Sequence, residues 1–430
     1  MTTGNPGKQC QKVPSEYTPR ACFTILGSFT GMFCTVGFMN SFGVFQEYYG
    51  KEQLADKSAS TIAWLGAISI FCIFFISVFS GQLLDIFGPT WMLCVGSLGT
   101  VFSLMMTSLC KEFYQFILAQ GILLGISLAL LACPMLALVG QHVKVKRGAA
   151  LGIVLGGSSL GGVVWPIVIN ELLQKPTIRF GWTMRIVALI MIPLLSLSCI
   201  CCRPPKTSPT PAQQPVSDDG EAIAAEEPSY PSVPKTDLSV LTKSSLQISC
   251  LAFFVIYFGM FSPFFFTTSY AVAEGFSTDL AFYTTSIVNG ASFFGRVLPG
   301  ILADQYGKFN CCIVFTFLSG IIALCWTKAT SVGGLVIFSL AYGFTSGAIL
   351  SLQQACAAQV GTPPTIGLTM GTVMAATSFS AMAGIPISGE LASGYGYLAL
   401  SIYSGVSLLI GSGLLAAARF VQSRKLLAVV

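Results

Sequence analysis

The chain has 430 residues, 53% of them hydrophobic and 9% charged, with a mean hydropathy of +0.76 and a formal net charge of +5. A soluble domain carries about 25% charged residues, so a water-facing surface over the whole chain is excluded. The small, scattered positive charge contains no basic block and gives nucleic acid no footing.

From the N-terminus, a polar stretch (1–20) without a cleavable signal pattern leads into twelve apolar segments. They cover 21–45, 62–84, 90–110, 113–139, 148–171, 184–202, 247–272, 281–303, 309–327, 332–356, 365–390 and 396–420. Each is near the length of about 20 residues that a helix needs to cross a bilayer. Lipid offers no partner to an unpaired backbone amide, so closed helices are required. The expected fold class is an all-α polytopic membrane protein with 12 transmembrane helices, its partner the lipid bilayer.

Between the sixth and seventh segments, 203–246 carries prolines from Pro204 to Pro234 among acids, Ser and Thr, and reads as a disordered linker. The domain organisation is then a tail (1–20), an N-terminal six-helix half (21–202), the linker (203–246), a C-terminal six-helix half (247–420) and a tail (421–430). Placing both termini in the cytoplasm puts 14 Lys and Arg inside and 7 outside, the bias expected of cytoplasmic loops. The plasma membrane is the expected location. Most of the 15 Cys lie within apolar segments, where a free thiol behaves as a small hydrophobe. Cys199, Cys201 and Cys202 beside Arg203 suit either palmitoylation or ordinary burial. Tyr270 and Trp182 fit an outer aromatic belt. With His142 the sole histidine and no acid cluster at depth, neither a metal, a cofactor nor an enzyme activity is expected, and no protein partner is implied.

The two halves repeat. Gly81-Gln-Leu83-Leu-Asp85-Ile-Phe-Gly88 returns 219 positions later as Gly300-Ile-Leu302-Ala-Asp304-Gln-Tyr-Gly307. Gly121 and Gly125 return as Gly343 and Gly347, and Pro166 with Glu171 as Pro386 with Glu390, at offsets between 219 and 222. Echoes in register point to two pseudo-symmetric halves, the internal symmetry of secondary transporters.

The Gly-x-Leu-x-Asp-x-x-Gly loop resembles the signature loop of the major facilitator superfamily. That resemblance implies gating roles for Gly81, Asp85, Gly88, Gly300, Asp304, Gly307 and Lys308, in loops that latch the halves in one of two alternating states. Thr90 stands in the first copy where a basic residue is usual; Lys308 keeps it in the second. Gly37-Phe-Met-Asn40-Ser41-Phe-Gly43-Val44-Phe45, Lys146-Arg147-Gly148-Ala149-Ala150-Leu151-Gly152 and Gly295-Arg296-Val-Leu-Pro-Gly300 resemble motifs of the monocarboxylate transporter family, especially fungal monocarboxylate and riboflavin transporter homologues. The family's acidic-glycine opening before the first span is replaced by Thr18-Pro19-Arg20.

Arg296 lies eight residues before Asp304, roughly 12 Å from its helix end at about 1.5 Å per residue. A charge at that depth is costly and turns to a polar cavity or partner. Its planar fork suits a carboxylate, the role the resemblance implies; bracing a neighbouring loop is the alternative. Asn40 and Ser292 stand where proton-coupled relatives have a lysine and an acid, so proton coupling is unsupported. Asn40, Ser41, Asn289, Tyr257 and Gln353 (with Gln354 beside it) are polar groups at cavity depth that either hydrogen-bond substrate or join helices. The expected function is secondary active or facilitative transport of a small organic solute, a monocarboxylate or related organic anion, by alternating access. Efflux of an anionic or amphipathic secondary metabolite is the alternative, and a transporter-like nutrient sensor a further one.

Overall fold

The computed structural model describes residues 17–143, 146–204, 238–361 and 365–424. Most of the expected N-terminal tail, linker and C-terminal tail lies outside the described residues, as do the side chains at positions 81, 82, 85 and 86, Gly81 and Asp85 of the first loop motif among them.

Helix dominates every described segment, as a lipid-solvated chain requires. Ten stretches are long and apolar enough to cross a membrane; the last of them, Gly367–Gln422, bends at Gly396, and a further apolar helix spans Lys308–Leu324. Dividing the one at its bend and adding the shorter helix yields the twelve spans expected. Large apolar side chains such as Leu98, Trp91 and Ile337 stand exposed on the outer surface, an arrangement that suits lipid rather than water.

The repeat seen in the sequence is a structural repeat at the same spacing of 219. Gly88 and Gly307, which close the two loop motifs, both take a positive φ (75° and 96°), which a side-chain-bearing residue adopts only with strain. Ser58 and Ser277 each cap the helix that follows, accepting from Thr61 N at 3.1 Å and Leu280 N at 3.3 Å. Glu112 (with Gln115, a capping box) and Ser331 do so for the fourth and tenth spans.

Helix packing repeats as well. A Cβ added to Gly125 would lie 2.9 Å from the Ser69 carbonyl oxygen, and one added to its echo Gly347 2.7 Å from that of Ser292. The echoed glycines therefore let the fourth span close on the second and the tenth on the eighth. Small residues permit such approach where lipid supplies no hydrophobic drive between helices.

Two spans are broken where the sequence predicted continuous helices. The first (Pro19–Gln53) is interrupted at Thr35 and again at Asn40–Ser41. The seventh (Ser244–Ala273) is interrupted at Phe261. Both breaks fall beside the space between the halves, where irregular backbone is tolerated.

Tyr270 is a correction to the aromatic belt. It is 1% exposed and packs edge-on against Trp326 and Tyr397, while Trp182 is 56% exposed with the Arg185 guanidinium over its ring. Hydropathy cannot tell a ring facing lipid from one facing a neighbouring helix.

Candidate functional site

The two halves meet along two seams. Along one, the fifth span (Arg147–Gln174) lies against the eighth (Thr278–Tyr306). Gly148, Gly152 and Gly156 recur every fourth residue and so share one helix face. Cβ atoms added there would stand 2.6 Å from the Gly300 carbonyl oxygen, 2.4 Å from that of Arg296 and 3.1 Å from the Phe293 ring. Gly157 and Gly161 turn instead to the first span, meeting the carbonyl oxygens of Phe29 and Phe33. The fifth span is thus a ridge of glycine that admits its own half on one side and the opposite half on the other.

At the end of this seam the fifth span has no side-chain cap from its own sequence. Asp304 of the other half supplies one. Its two carboxylate oxygens accept from Gly148 N and Ala149 N, each at 3.1 Å. A negative group at a helix N-terminus meets both the unpaired amides and the positive end of the dipole. The second seam joins the second and eleventh spans, with Phe379 packed edge-on against Phe71 and Phe75 and an added Cβ on Gly371 3.1 Å from Val78 Cα.

Between the seams runs a cavity of about 2010 Å³, lined by both halves. Arg296, Asn40, Asn289, Tyr257 and Gln353 all line it. Ser41 does not: it is buried beside the helix break with its hydroxyl unpaired. Ser292 is likewise off the cavity, against Gly347 of the tenth span.

Arg296 and Asn289 sit seven residues apart, two turns along one face of the eighth span, and both reach across the first seam. Arg296 is 3% exposed, and its Nη1 donates to the Leu155 carbonyl at 2.6 Å and to the Ser158 hydroxyl. Its Nε is buried without a partner. Among the described residues no carboxylate pairs with it, and the ion pairs there are the surface pairs Lys51–Glu47 and Lys57–Asp56. Two turns farther from Asp304, Asn40 Nδ2 donates to Asn289 Oδ1 at 3.2 Å and to the Ser158 carbonyl at 3.3 Å, with Gly162 close beneath both amides. Asn289 Nδ2 returns to the Thr285 carbonyl at 3.0 Å. Tyr257 of the seventh span donates to Gln353 Oε1 at 2.5 Å.

Sequence reasoning missed several lining groups. Ser158 carries no sequence signal of its own, yet its hydroxyl receives the arginine. Glu47, Asn170 and Glu171 line the cavity toward the ends of the first and fifth spans, away from the Asp304 clasp. Glu171 had a usable signal in its echo at Glu390; Glu47 had none.

The arrangement can hold a ligand at the centre of the molecule and can part along seams secured by a few polar ties. Comparison with known proteins agrees. Residues 21–327 match the Major Facilitator Superfamily. The chain is 45% identical over 409 residues to the agnestins efflux protein of Paecilomyces divaricatus, spanning 95% of this chain and 89% of that one. It is 36% identical to the aspyridones efflux protein of Emericella nidulans, spanning 94% and 78%, and 32% identical to the fujikurins efflux protein of Gibberella fujikuroi, spanning 96% and 85%. The human organic anion transporter TETRAN shares the fold at a TM-score of 0.66 and 17% identity, over 94% of this chain and 100% of that one. The chain belongs to the Major Facilitator Superfamily and is a multi-pass membrane transporter of small molecules.

Proposed function

We propose that this transporter exports an amphipathic secondary metabolite carrying an anionic oxygen group. Cavity size carries the reading. About 2010 Å³ exceeds the roughly 300–1,000 Å³ of a pocket built for a drug-sized ligand, and a short monocarboxylate would leave most of it to water. Phe74, Phe261, Phe264 and Met374 contribute apolar wall, and the polar groups are few and clustered. Relatives named for efflux of agnestins, aspyridones and fujikurins support the same direction.

On this reading the termini are cytoplasmic, the membrane is the plasma membrane, and the halves rock about the cavity. Arg296 meets the anionic group with its unpaired Nε and with donors that leave Leu155 and Ser158. Asn40, Asn289, Tyr257 and Gln353 hydrogen-bond the ligand, and the loops holding Gly81, Asp85, Gly88, Gly300, Asp304, Gly307 and Lys308 gate the passage. A second reading, movement of a small monocarboxylate, rests on the motif resemblance and on the fit of a guanidinium fork to a carboxylate.

The test is export from cells preloaded with a panel of aromatic acids and short-chain monocarboxylates, measured in the medium against cells lacking the protein. Faster loss of the aromatic acids is the expected result. Movement of the short-chain acids alone would replace this reading with the second one.

A further inference from the structure

A second polar cluster in the cavity is built differently from the Arg296 seam. Gln353 and Gln354 are consecutive on the tenth span (Val332–Val360), both buried and both lining the cavity. Their amide nitrogens point to a single sulfur: Gln354 Nε2 lies 3.0 Å from Met374 Sδ and Gln353 Nε2 lies 3.7 Å from it. A thioether is a weak acceptor, and two carboxamides supply four N–H groups between them. Burying amide donors without good acceptors is costly. The Tyr257 hydroxyl takes the Gln353 oxygen and so holds that amide in place, its nitrogen turned toward Met374. These donors are under-used for their depth.

Beside them stands an aromatic wall. Tyr257 packs edge-on against Phe74 of the opposite half, with ring centroids 5.7 Å apart, and against Phe261, at 5.4 Å. Both phenylalanines line the cavity. Fixed amide donors next to an aromatic wall are complementary to a flat conjugated ring system that presents carbonyl oxygens at its edge. An aliphatic acid would use neither feature.

We infer that Gln353 and Gln354 form a carbonyl-recognition subsite, with Met374 as the filler a ligand oxygen displaces, and that the exported molecule is a planar conjugated carbonyl compound. This rests on the export reading above and names the substrate class for the same cavity. Because the subsite lies on the tenth span and Arg296 on the eighth, one ligand can be held at two points: its anionic group at Arg296 and its carbonyl edge at the glutamines.

The probes are fluorenone carboxylate and fluorene carboxylate, which share shape and charge and differ in the ring carbonyl. Binding and transport are measured on the full chain in proteoliposomes. The wild type is expected to favour the fluorenone probe, and Gln354→Leu to lose about tenfold in affinity for it, the worth of one good hydrogen bond of about 1.4 kcal/mol, while affinity for the fluorene probe is unchanged. Unchanged affinity for the fluorene probe guards against a loss caused by poor folding of Gln354→Leu, and Met374→Leu, close in volume and without the sulfur, keeps the preference for the fluorenone probe because the ligand carbonyl, not the thioether, is the acceptor. Equal loss for both probes in Gln354→Leu, or no loss for either, overturns the subsite while leaving export standing. A wild type that carries neither aromatic probe but carries a short-chain acid overturns the export reading and the subsite with it.

Discussion

Arg296→Ala is the most informative single change. The substitution removes a guanidinium whose Nη1 ties the eighth span to Leu155 and Ser158 of the other half. Neither acceptor is orphaned: the Ser158 hydroxyl also donates to the Leu155 carbonyl at 2.8 Å, and that carbonyl lies within the fifth helix. The loss is therefore the net value of the tie rather than a desolvation penalty. Hydrogen bonds to a charged donor are worth about 1.5–3 kcal/mol, and two sharing one nitrogen fall short of twice that, so about 2–3 kcal/mol is at stake. If the tie exists in this arrangement of the halves and breaks when they rock, the population ratio moves by about 30- to 150-fold against this arrangement. Paired spin labels on the fifth and eighth spans, placed near Gln174 and Thr278, read that ratio directly in proteoliposomes. The expected result is a broadened or shifted distance distribution in Arg296→Ala, with Arg296→Lys intermediate because a single ammonium keeps the charge and loses the fork. An unchanged distribution together with unchanged export of every aromatic acid would refute both the tie and the anion contact.

Two further predictions concern the same seam. Gly152→Val places a side chain where a Cβ alone would stand 2.4 Å from the Arg296 carbonyl oxygen, so transport should fall about 5- to 150-fold through overpacking of about 1–3 kcal/mol; Gly333→Ala, with open space around it, is the neutral control, and equal rates in the two variants would contradict the contact. Asp304→Ala removes a cap shared by Gly148 N and Ala149 N and should cost about 0.5–2 kcal/mol of seam closure, read by the same spin labels, while Asp304→Asn retains one acceptor and falls between; an asparagine variant as impaired as the alanine one would show that the capping bonds are not what the carboxylate provides.

The spans, their number and their six-plus-six repeat were legible in the amino-acid order because lipid imposes a local demand. Each crossing must be a largely helical apolar run long enough to span the bilayer, and each turn between crossings needs its own punctuation, such as Gly88 and Gly307 with their positive φ or Ser58 and Ser277 at helix starts. Those signals sit within a few residues of what they determine. Arg296 stood out for a related reason, since an isolated charge in an apolar run needs an explanation that its neighbours in sequence cannot supply.

What the arginine touches was decided by tertiary structure alone. Its partners at Leu155 and Ser158 lie 141 and 138 positions away, and they are reachable because three glycines on one face of the fifth span let two backbones approach across the seam. The same holds for Ser41, a polar residue expected at cavity depth that turns away from the cavity, and for Tyr270, a ring of the expected belt type that faces other helices. Composition and spacing state what a side chain can do. Which face of a helix meets a lipid, a neighbour or a cavity depends on the packing of all twelve spans together, and that packing is set by contacts between residues far apart in the chain.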